Sequence, residues 1–238
     1  MKFSFLLRKE DFFLQKGLRS YIFVLNFKNM KDLRNIIFDL GGVLFDINYQ
    51  NIIESFRKLG LSEFDAIYTQ LKQDHLFDEL EKGLISGPEF RDRIRSLAKK
   101  ELSDQQIDDA WNSILIGFPS KNVDLLQELK TKYRLFLLSN TNEIHEKAFR
   151  KMLNSIYKRD ILGDAFEKIY LSHHIHERKP DLIIFERVIR ENNLEANHTL
   201  FIDDSPQHVE GAKVAGLNAL LLKNGEWVGD LLKREIDS

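Results

Sequence analysis

Short apolar runs recur along the chain, and most of them lack the alternation of a strand with one exposed face. Four clear runs span residues 35–40, 134–140, 198–204 and 218–224, and a weaker one spans 168–172. Unalternating runs of this length are typical of strands that are buried on both faces of a parallel sheet. We therefore predict five such strands.

Between the later runs the apolar residues follow helical spacing. The predicted helices cover residues 121–132, 143–152, 181–192 and 206–215, and Gly216 is a suitable C-terminal stop for the last of them. Strands that alternate with helices indicate an α/β fold with a doubly wound parallel sheet.

The long gap between the first and second strands contains no good strand. It instead predicts about four helices, which include 51–59, 63–72, 88–100 and 104–116. A block of this size is too large for one crossover connection. We predict a helical cap domain at 49–117, inserted over the carboxyl edge of a catalytic core formed by 30–48 and 118–238.

Residues 1–29 precede the first strand and contain apolar bursts that are broken by charged residues. No cleavage site for a signal peptide follows them. We predict an extension that is not part of the native fold, the result of a start site placed too far upstream. The alternative is an amphipathic helix that docks on the body of the protein or on a membrane surface.

The amino-acid composition limits the kinds of molecule that the protein is expected to bind. The 238 residues carry a formal net charge of -2, which gives no global basic field for nucleic acid. The absence of cysteine excludes disulfides, thiol catalysis and thiolate metal sites. No run approaches the roughly 20 apolar residues of a membrane helix. We expect a cytoplasmic protein with a small-molecule partner, and the sequence does not indicate its oligomeric state.

A candidate nucleophile ends the first strand. Asp39 is followed by Leu40, Gly41 and Gly42, and ligands of open parallel sheets bind outside the carboxyl ends of the strands. The glycines allow backbone amides to approach a bound anion. The alternative is a strand-end aspartate that only opens a turn.

Phosphate-binding groups follow the next strands. Ser139, Asn140 and Thr141 end the second strand, where a hydroxyl and backbone amides near a helix N-terminus suit phosphate oxygens, although these residue types also serve as simple helix caps. Lys179, followed by Pro180, can neutralise a phosphate, although exposed Lys-Pro pairs are common.

An acidic pair, Asp203 and Asp204, ends the fourth run. Adjacent carboxylates repel each other unless a positive group compensates them, and oxygen ligands together with a phosphate suit Mg²⁺. Because all of these groups fall at or just after the carboxyl ends of predicted strands, they can converge. A nucleophile, a hydroxyl, a lysine and metal-binding carboxylates together make one active site.

The order Asp39-x-Gly41, Ser139, Lys179-Pro180 and Asp203-Asp204 resembles the four-motif pattern of the haloacid dehalogenase (HAD) superfamily over about residues 35–224. Longer segments are similar to its bacterial α-D-glucose-1-phosphate phosphatase branch. They include FDLGGVLFDIN at 38–48, LSNTNEIH at 138–145 and FIDDSPQHVEGA at 201–212.

The resemblance implies an Mg²⁺-dependent phosphoric monoester hydrolase that forms an aspartyl-phosphate intermediate on Asp39. It further implies that a backbone carbonyl of Gly41 and the side chains of Asp39, Asp203 and Asp204 hold the metal, directly or through water. Ser139, Asn140 and Lys179 are implied to bind the transferred phosphoryl group, with Lys179 bridging it to Asp39.

One position departs from the family pattern. Most of the family's phosphatases have a second aspartate two residues after the nucleophile, where this chain has Gly41. Glycine cannot supply general acid–base catalysis, which contributes about 10²–10⁴-fold. An anomeric hydroxyl is a better leaving group than an ordinary alcohol, so we hypothesise a preference for a hexose 1-phosphate. Asp46 is interpreted as a structural residue rather than as a replacement acid.

Two alternative functions remain at this stage. A catalytically weak HAD-fold binding or regulatory protein would explain Gly41 but not the retained Asp39, Lys179 and Asp204. A haloacid dehalogenase needs no cation, so it would leave the Asp203-Asp204 pair unexplained. Three histidines, His173, His174 and His176, are interpreted as hydrogen-bonded or solvated loop residues.

Overall fold

The computed structural model describes residues 32–61, 63–64 and 75–236. The predicted extension at 1–29 and most of the predicted helix at 63–72 lie outside the described residues.

Five described strands form one parallel sheet in the order β5-β4-β1-β6-β7. The central strand, β1, pairs with β4 on one side and with β6 on the other, so that Phe38 lies opposite Leu137 and Ile202. This sheet confirms the predicted α/β fold. The strands are β1 Asn35–Phe38, β4 Arg134–Ser139, β5 Lys168–Leu171, β6 Thr199–Asp203 and β7 Asn218–Leu221.

Both faces of the sheet are covered, which explains why the strand sequences do not alternate. Ile36 and Phe38 belong to one buried apolar cluster, and Ile37 between them belongs to another on the opposite face. All three side chains are fully buried. A strand in this position is therefore mostly apolar, and its one polar residue, Asn35, is buried and donates to the hydroxyl of Thr199 at 3.0 Å.

Seven of the described helices match predicted ones except at their ends, and the four at 76–81, 161–165, 172–175 and 228–236 were not predicted. The described helices are α1 Gln50–Lys58, α2 Leu76–Glu81, α3 Gly87–Ala98, α4 Asp104–Asn112, α5 Ser120–Leu129, α6 Glu143–Tyr157, α7 Ile161–Ala165, α8 Ser172–Ile175, α9 Leu182–Glu191, α10 Pro206–Val214 and α11 Val228–Ile236. None of the helices within the described ranges is long and apolar enough to cross a membrane.

The helical segment after β1 has an apolar cluster of its own. Phe56 and Phe64 stack there with ring centroids 4.1 Å apart, and Trp111 packs against Phe90. Ile144 of α6 belongs to the same cluster, so this segment also packs on a helix that covers the sheet. The division into a core and a cap domain stays a prediction.

The prediction that residues 49–117 contain no strand was wrong at one end. The predicted helix 104–116 stops at Asn112, and β3 Leu115–Gly117 pairs antiparallel with β2 Asp46–Ile47. The backbone N–H of Asn48 also donates to the carbonyl of Ile114, 2.9 Å away. The ribbon joins the two points where the chain enters and leaves the helical segment. Hydrogen bonding between distant residues overrides the local helical pattern here.

Candidate active site

The ends of three adjacent strands place the candidate catalytic groups together. Asp39 follows β1, Ser139 ends β4 and Asp203 ends β6. Because β1 lies between β4 and β6, these side chains meet at one edge of the sheet. Asp39 and Ser139, together with Asp204 after Asp203, line a cavity of about 650 Å³ whose opposite wall comes from the helical segment.

Lys179 lies at the centre of this edge. It comes from the loop between α8 and α9, and its side chain is fully buried. Its Nζ lies 2.7 Å from Oδ1 of Asp39 and 2.6 Å from Oδ2 of Asp203. One ammonium group therefore bridges two buried carboxylates, and a strong penalty for burying any one of these charges alone is avoided.

The same contacts shift the protonation equilibria. Burial would lower the pKa of Lys179, but Asp203 and Asp39 outweigh burial and raise it. Burial also raises the pKa of Asp39 against the effect of Lys179, and the neighbouring carboxylates raise it further. For Asp203 the effect of burial is outweighed by Lys179 and His208, so its pKa is lowered. Without a further cation, the site holds more acidic groups than it can keep ionised.

Asp203 is committed to structural hydrogen bonds. Oδ1 accepts from the backbone N–H of Ser205 at 2.8 Å, and Nδ1 of His208 lies 3.0 Å from it. Asp204 is less buried and lines the cavity. Burial and then Asp203 raise the pKa of Asp204. The sequence reasoning missed His208, whose only signal is its position in the first turn of α10, just after the acidic pair.

The acidic groups fit a magnesium ion. Asp39, Asp203 and Asp204 each offer a carboxylate oxygen, and these oxygens lie within 4.8 Å of one another. Oxygen donors of this kind, with space for water and phosphate, are what Mg²⁺ prefers. Gly42 has a φ of 78°, and a Cβ at this position would overlap Oδ2 of Asp204. The glycine thus leaves room for the carboxylate of Asp204.

Residues 139–141, which end and follow β4, line the cavity and hold the Lys179 loop, and they do not cap the next helix. Ser139 is buried and lines the cavity. The side chain of Asn140 donates to the carbonyl of Lys179 and accepts from its backbone N–H, both at 2.9 Å, which holds the lysine loop in place. The N-cap of α6 is Asn142, which accepts from Ile144 and His145. The alternative that residues 139–141 only cap this helix was therefore wrong.

Two positions bear on the missing acid. Gly41 lines the cavity beside Asp39. Asp46 lies on β2, is exposed, and is not part of the cavity wall.

An arginine next to Lys179 reaches the helical segment. Nη2 of Arg178 lies 2.9 Å from Oε2 of Glu81, and Nη1 contacts Oδ1 of Asp78. All three residues line the cavity. No role was predicted from the sequence for any of these three residues. The sequence shows a basic pair at 178–179 and acidic residues at 78–81, but nothing in it brings the two together.

Aromatic rings form another part of the wall. The ring of Trp111 stacks on those of Phe77 and His145, with both ring centroids 5.2 Å away. Nδ1 of His145 lies 2.9 Å from Oδ1 of Asn112, and burial lowers the pKa of His145 to about 3. Trp111 is buried, belongs to the apolar cluster of the helical segment, and also borders the cavity.

Two of the three neighbouring histidines share one partner. Nε2 of His173 and Nε2 of His174 lie 3.0 Å and 2.9 Å from Oε2 of Glu146, whose other oxygen accepts from Arg150. His176 contacts the carbonyl of Lys82 at 2.8 Å. His173 and His176 are hydrogen-bonded, as predicted, and His174 lies within ion-pair distance of Glu146. His173 and His174, however, belong to α8 and not to a loop.

Comparison with known proteins gives the geometry a context. The family model of haloacid dehalogenase-like hydrolases matches residues 36–222. A D-ribitol-5-phosphate phosphatase of Bacteroides thetaiotaomicron is 32% identical over 201 residues, which cover 84% of this chain and 97% of the relative.

Solved structures agree with this match. A HAD-family enzyme of Bacteroides thetaiotaomicron, in complex with magnesium and inorganic phosphate, has a TM-score of 0.76 and 39% identity, covering 84% of this chain and 98% of that one. A HAD-like family hydrolase of Porphyromonas gingivalis has a TM-score of 0.76 and 34% identity, covering 85% and 97%.

Proposed function

Because this chain belongs to the haloacid dehalogenase-like hydrolase family, we propose that it is a magnesium-dependent phosphatase that uses Asp39 as its nucleophile. The observation that carries the proposal is the bridge from Lys179 to Asp39 and Asp203, beside a cavity that Asp204 also lines. A relative that is a D-ribitol-5-phosphate phosphatase, and one that binds magnesium and phosphate, support it.

Asp39, Asp204 and the carbonyl of Gly41 would hold the magnesium ion. Asp203 would act on it indirectly, since its own oxygens already bind Lys179, Ser205 and His208. When bound, the ion offsets the repulsion between a carboxylate and a phosphate dianion and stabilises charge on the phosphoryl oxygens.

The remaining chemistry belongs to the chain. A carboxylate oxygen of Asp39 attacks phosphorus, the bond from phosphorus to the leaving oxygen breaks, and the released alkoxide takes up a proton. Water then attacks the phosphorus of the aspartyl phosphate and the bond from phosphorus to the Asp39 oxygen breaks, which releases phosphate and restores the carboxylate. The proton that this water loses balances the one that the alkoxide takes up from solvent. Splitting the hydrolysis replaces one difficult step by two easier ones.

Lys179 and the strand end after β4 stabilise the transferred group. The ammonium of Lys179 is fixed beside the nucleophile before substrate arrives, so it need not reorganise during the reaction. The Ser139 hydroxyl and the backbone N–H of Asn140 would donate hydrogen bonds to phosphoryl oxygens. The side chain of Asn140 serves to hold Lys179 in place.

For the substrate we propose a small polyhydroxylated phosphate monoester, either a sugar phosphate or a sugar-alcohol phosphate. The glycine at position 41 favours a good leaving group, such as the anomeric oxygen of a hexose 1-phosphate. The relative's substrate, D-ribitol 5-phosphate, instead carries its phosphate on a primary alcohol. Both kinds of substrate carry several hydroxyl groups on the alcohol side of the ester.

Two other functions are less well supported. A binding protein without catalysis has no need for a buried lysine that is held against the nucleophile. A haloacid dehalogenase needs no cation, so it would not explain three carboxylates whose oxygens lie within 4.8 Å of one another.

The test is release of phosphate from p-nitrophenyl phosphate, glucose 1-phosphate, glucose 6-phosphate and D-ribitol 5-phosphate, with Mg²⁺ and with EDTA. We expect turnover that depends on Mg²⁺ and that Asp39→Asn abolishes. Turnover of glucose 6-phosphate equal to that of glucose 1-phosphate would remove the argument from Gly41. Metal-independent turnover, or activity retained in Asp39→Asn, would refute the mechanism.

A further inference from the structure

Three residues that line the cavity each have a buried polar atom with no hydrogen-bond partner within the described part of the chain. These atoms are Oε2 of Glu81, Nε1 of Trp111 and Nε of Arg178. Oε2 of Glu81 does lie 2.9 Å from Nη2 of Arg178, but this ion pair is not aligned as a hydrogen bond. Buried polar groups are nearly always hydrogen-bonded, and each one left unsatisfied costs about 1–3 kcal/mol.

The position of these atoms is informative. The cavity that all three residues line is also lined by Asp39 and Lys179. Other buried polar atoms without a partner in the described ranges belong to Gln127, His173 and His198, none of which lines this cavity. The unsatisfied hydrogen-bonding capacity next to the candidate active site is thus on the side formed by the helical segment and Arg178.

The groups are held in fixed orientations. The indole of Trp111 is stacked on the rings of Phe77 and His145, with interplanar angles of 17° and 8°. The guanidinium of Arg178 is tied to Asp78 and lies against Glu81. Such groups lose little conformational entropy when a ligand binds, which favours specific recognition.

Their chemistry defines the ligand. Trp111 Nε1 and Arg178 Nε are donors and Glu81 Oε2 is an acceptor, and a hydroxyl group can serve both because it donates and accepts. The single positive charge of Arg178 faces two carboxyl groups, those of Asp78 and Glu81. Burial raises the pKa of Glu81 against the effect of Arg178. This part of the wall therefore has no surplus positive charge with which to attract a second anionic group.

We propose that Trp111, Arg178 and Glu81 form a subsite for the hydroxyl groups of the leaving alcohol, which selects uncharged polyols over alkyl alcohols and over alcohols that carry a second anionic group. The inference rests on the proposed function, because it assigns this subsite to the alcohol side of a phosphate ester.

The experiment compares two esters of the same chain length, D-ribitol 5-phosphate and n-pentyl phosphate, which lacks the other hydroxyl groups. Binding to the Asp39→Asn protein with Mg²⁺ is measured by calorimetry, so that the result does not depend on turnover. We expect tighter binding of the ribitol ester, and a roughly 3- to 10-fold loss of this preference in Trp111→Phe, which removes one donor and keeps an aromatic ring.

A matched control is available in the chain's second tryptophan. Nε1 of Trp227 donates to Oδ1 of Asn122 at 2.7 Å, and Trp227 does not line the cavity. Trp227→Phe makes the same chemical change elsewhere, and it should leave the ratio of the two affinities unchanged. If Trp111→Phe does not fold, Arg178→Lys decides the question, because it keeps the charge and removes the Nε–H.

Several results would overturn the subsite. One is equal binding of the two esters by the Asp39→Asn protein, and another is an unchanged ratio in both Trp111→Phe and Arg178→Lys. Binding of an ester with a second phosphate more tightly than the ribitol ester would also overturn it. Failure of the proposed function is seen separately, as absence of Mg²⁺-dependent turnover in the unaltered protein.

Discussion

Replacing Lys179 by methionine tests the central charge arrangement of the site. Methionine is close to lysine in length and apolar, so the change removes the ammonium between Asp39 and Asp203 with little change in packing. Those two carboxylates then lie buried without the group that Oδ1 of Asp39 and Oδ2 of Asp203 now contact at 2.7 Å and 2.6 Å. We expect both a loss of activity and a large loss of stability.

The size of the stability loss follows from the burial. Lys179 and Asp203 are fully buried and Asp39 is 7% exposed. Removing one partner of a buried ion pair costs about 3–5 kcal/mol, because an uncompensated charge remains. For a protein of this size a loss of 1 kcal/mol lowers Tm by about 2–4 °C. In EDTA, Lys179→Met should therefore unfold roughly 6–20 °C below the unaltered protein.

Magnesium supplies an internal control. An ion held by the same carboxylates replaces part of the missing positive charge and stabilises the folded state by mass action. The stability loss measured by urea unfolding should accordingly be smaller at saturating Mg²⁺ than in EDTA. Lys151→Met, at an exposed position of α6, should change stability by no more than about 0.5 kcal/mol in either buffer.

A second substitution identifies the cause. Asp203→Asn neutralises one of the two buried carboxylates that lose their partner in Lys179→Met. It should therefore be less destabilising in the Lys179→Met protein than in the unaltered protein, with a coupling free energy of about 0.5–3 kcal/mol. Equal stability of Lys179→Met and the unaltered protein in EDTA, or strict additivity of the two changes, would refute the reasoning.

Two further predictions concern the cavity wall and the metal site. Burial lowers the pKa of His145 to about 3, so its contribution to stability is present above pH 6.5 and is lost as the pH falls from 6.5 towards 3. Between pH 7.5 and pH 5, His145→Gln should lose about 2 kcal/mol less stability in urea unfolding than the unaltered protein, and equal losses would contradict this. Gly42→Ala should raise the Mg²⁺ concentration for half-maximal activity, because its Cβ would displace Asp204. Gly225→Ala is the control, since it has a φ of 79° and open space at its Cβ; a similar shift in both variants would show that backbone strain alone is responsible.

The sheet was predictable because burial on both faces leaves a direct trace in the sequence. A strand such as β1 is apolar at three successive residues, Ile36 to Phe38, and a charged residue directly after it marks the carboxyl end. The rule that parallel strands present these ends at one edge then brings Asp39, Ser139 and Asp203 together. Lys179 was also found, although it lies in a loop, because a proline and an aspartate follow it before a helix.

Features that depend on contacts between distant residues were not predictable in this way. β3 was assigned to a helix because its partner, β2, lies almost 70 positions earlier in the chain. The sequence also gave no sign that Arg178 would reach back to Asp78 and Glu81, since each charge is ordinary for an exposed surface.

The two walls of the cavity are proposed to contact different parts of a substrate. Substitutions in the two walls should therefore have different kinetic effects. Under the proposed function, the sheet edge with Asp39 and Lys179 would face the phosphoryl group, which every substrate shares. Its substitutions should lower turnover of all esters by a common factor. The wall with Trp111 and Arg178 faces the leaving alcohol, which differs between substrates, so its substitutions should change the ratio between esters. A uniform loss at Trp111 would therefore place the indole in support of the catalytic edge and not in recognition of the alcohol.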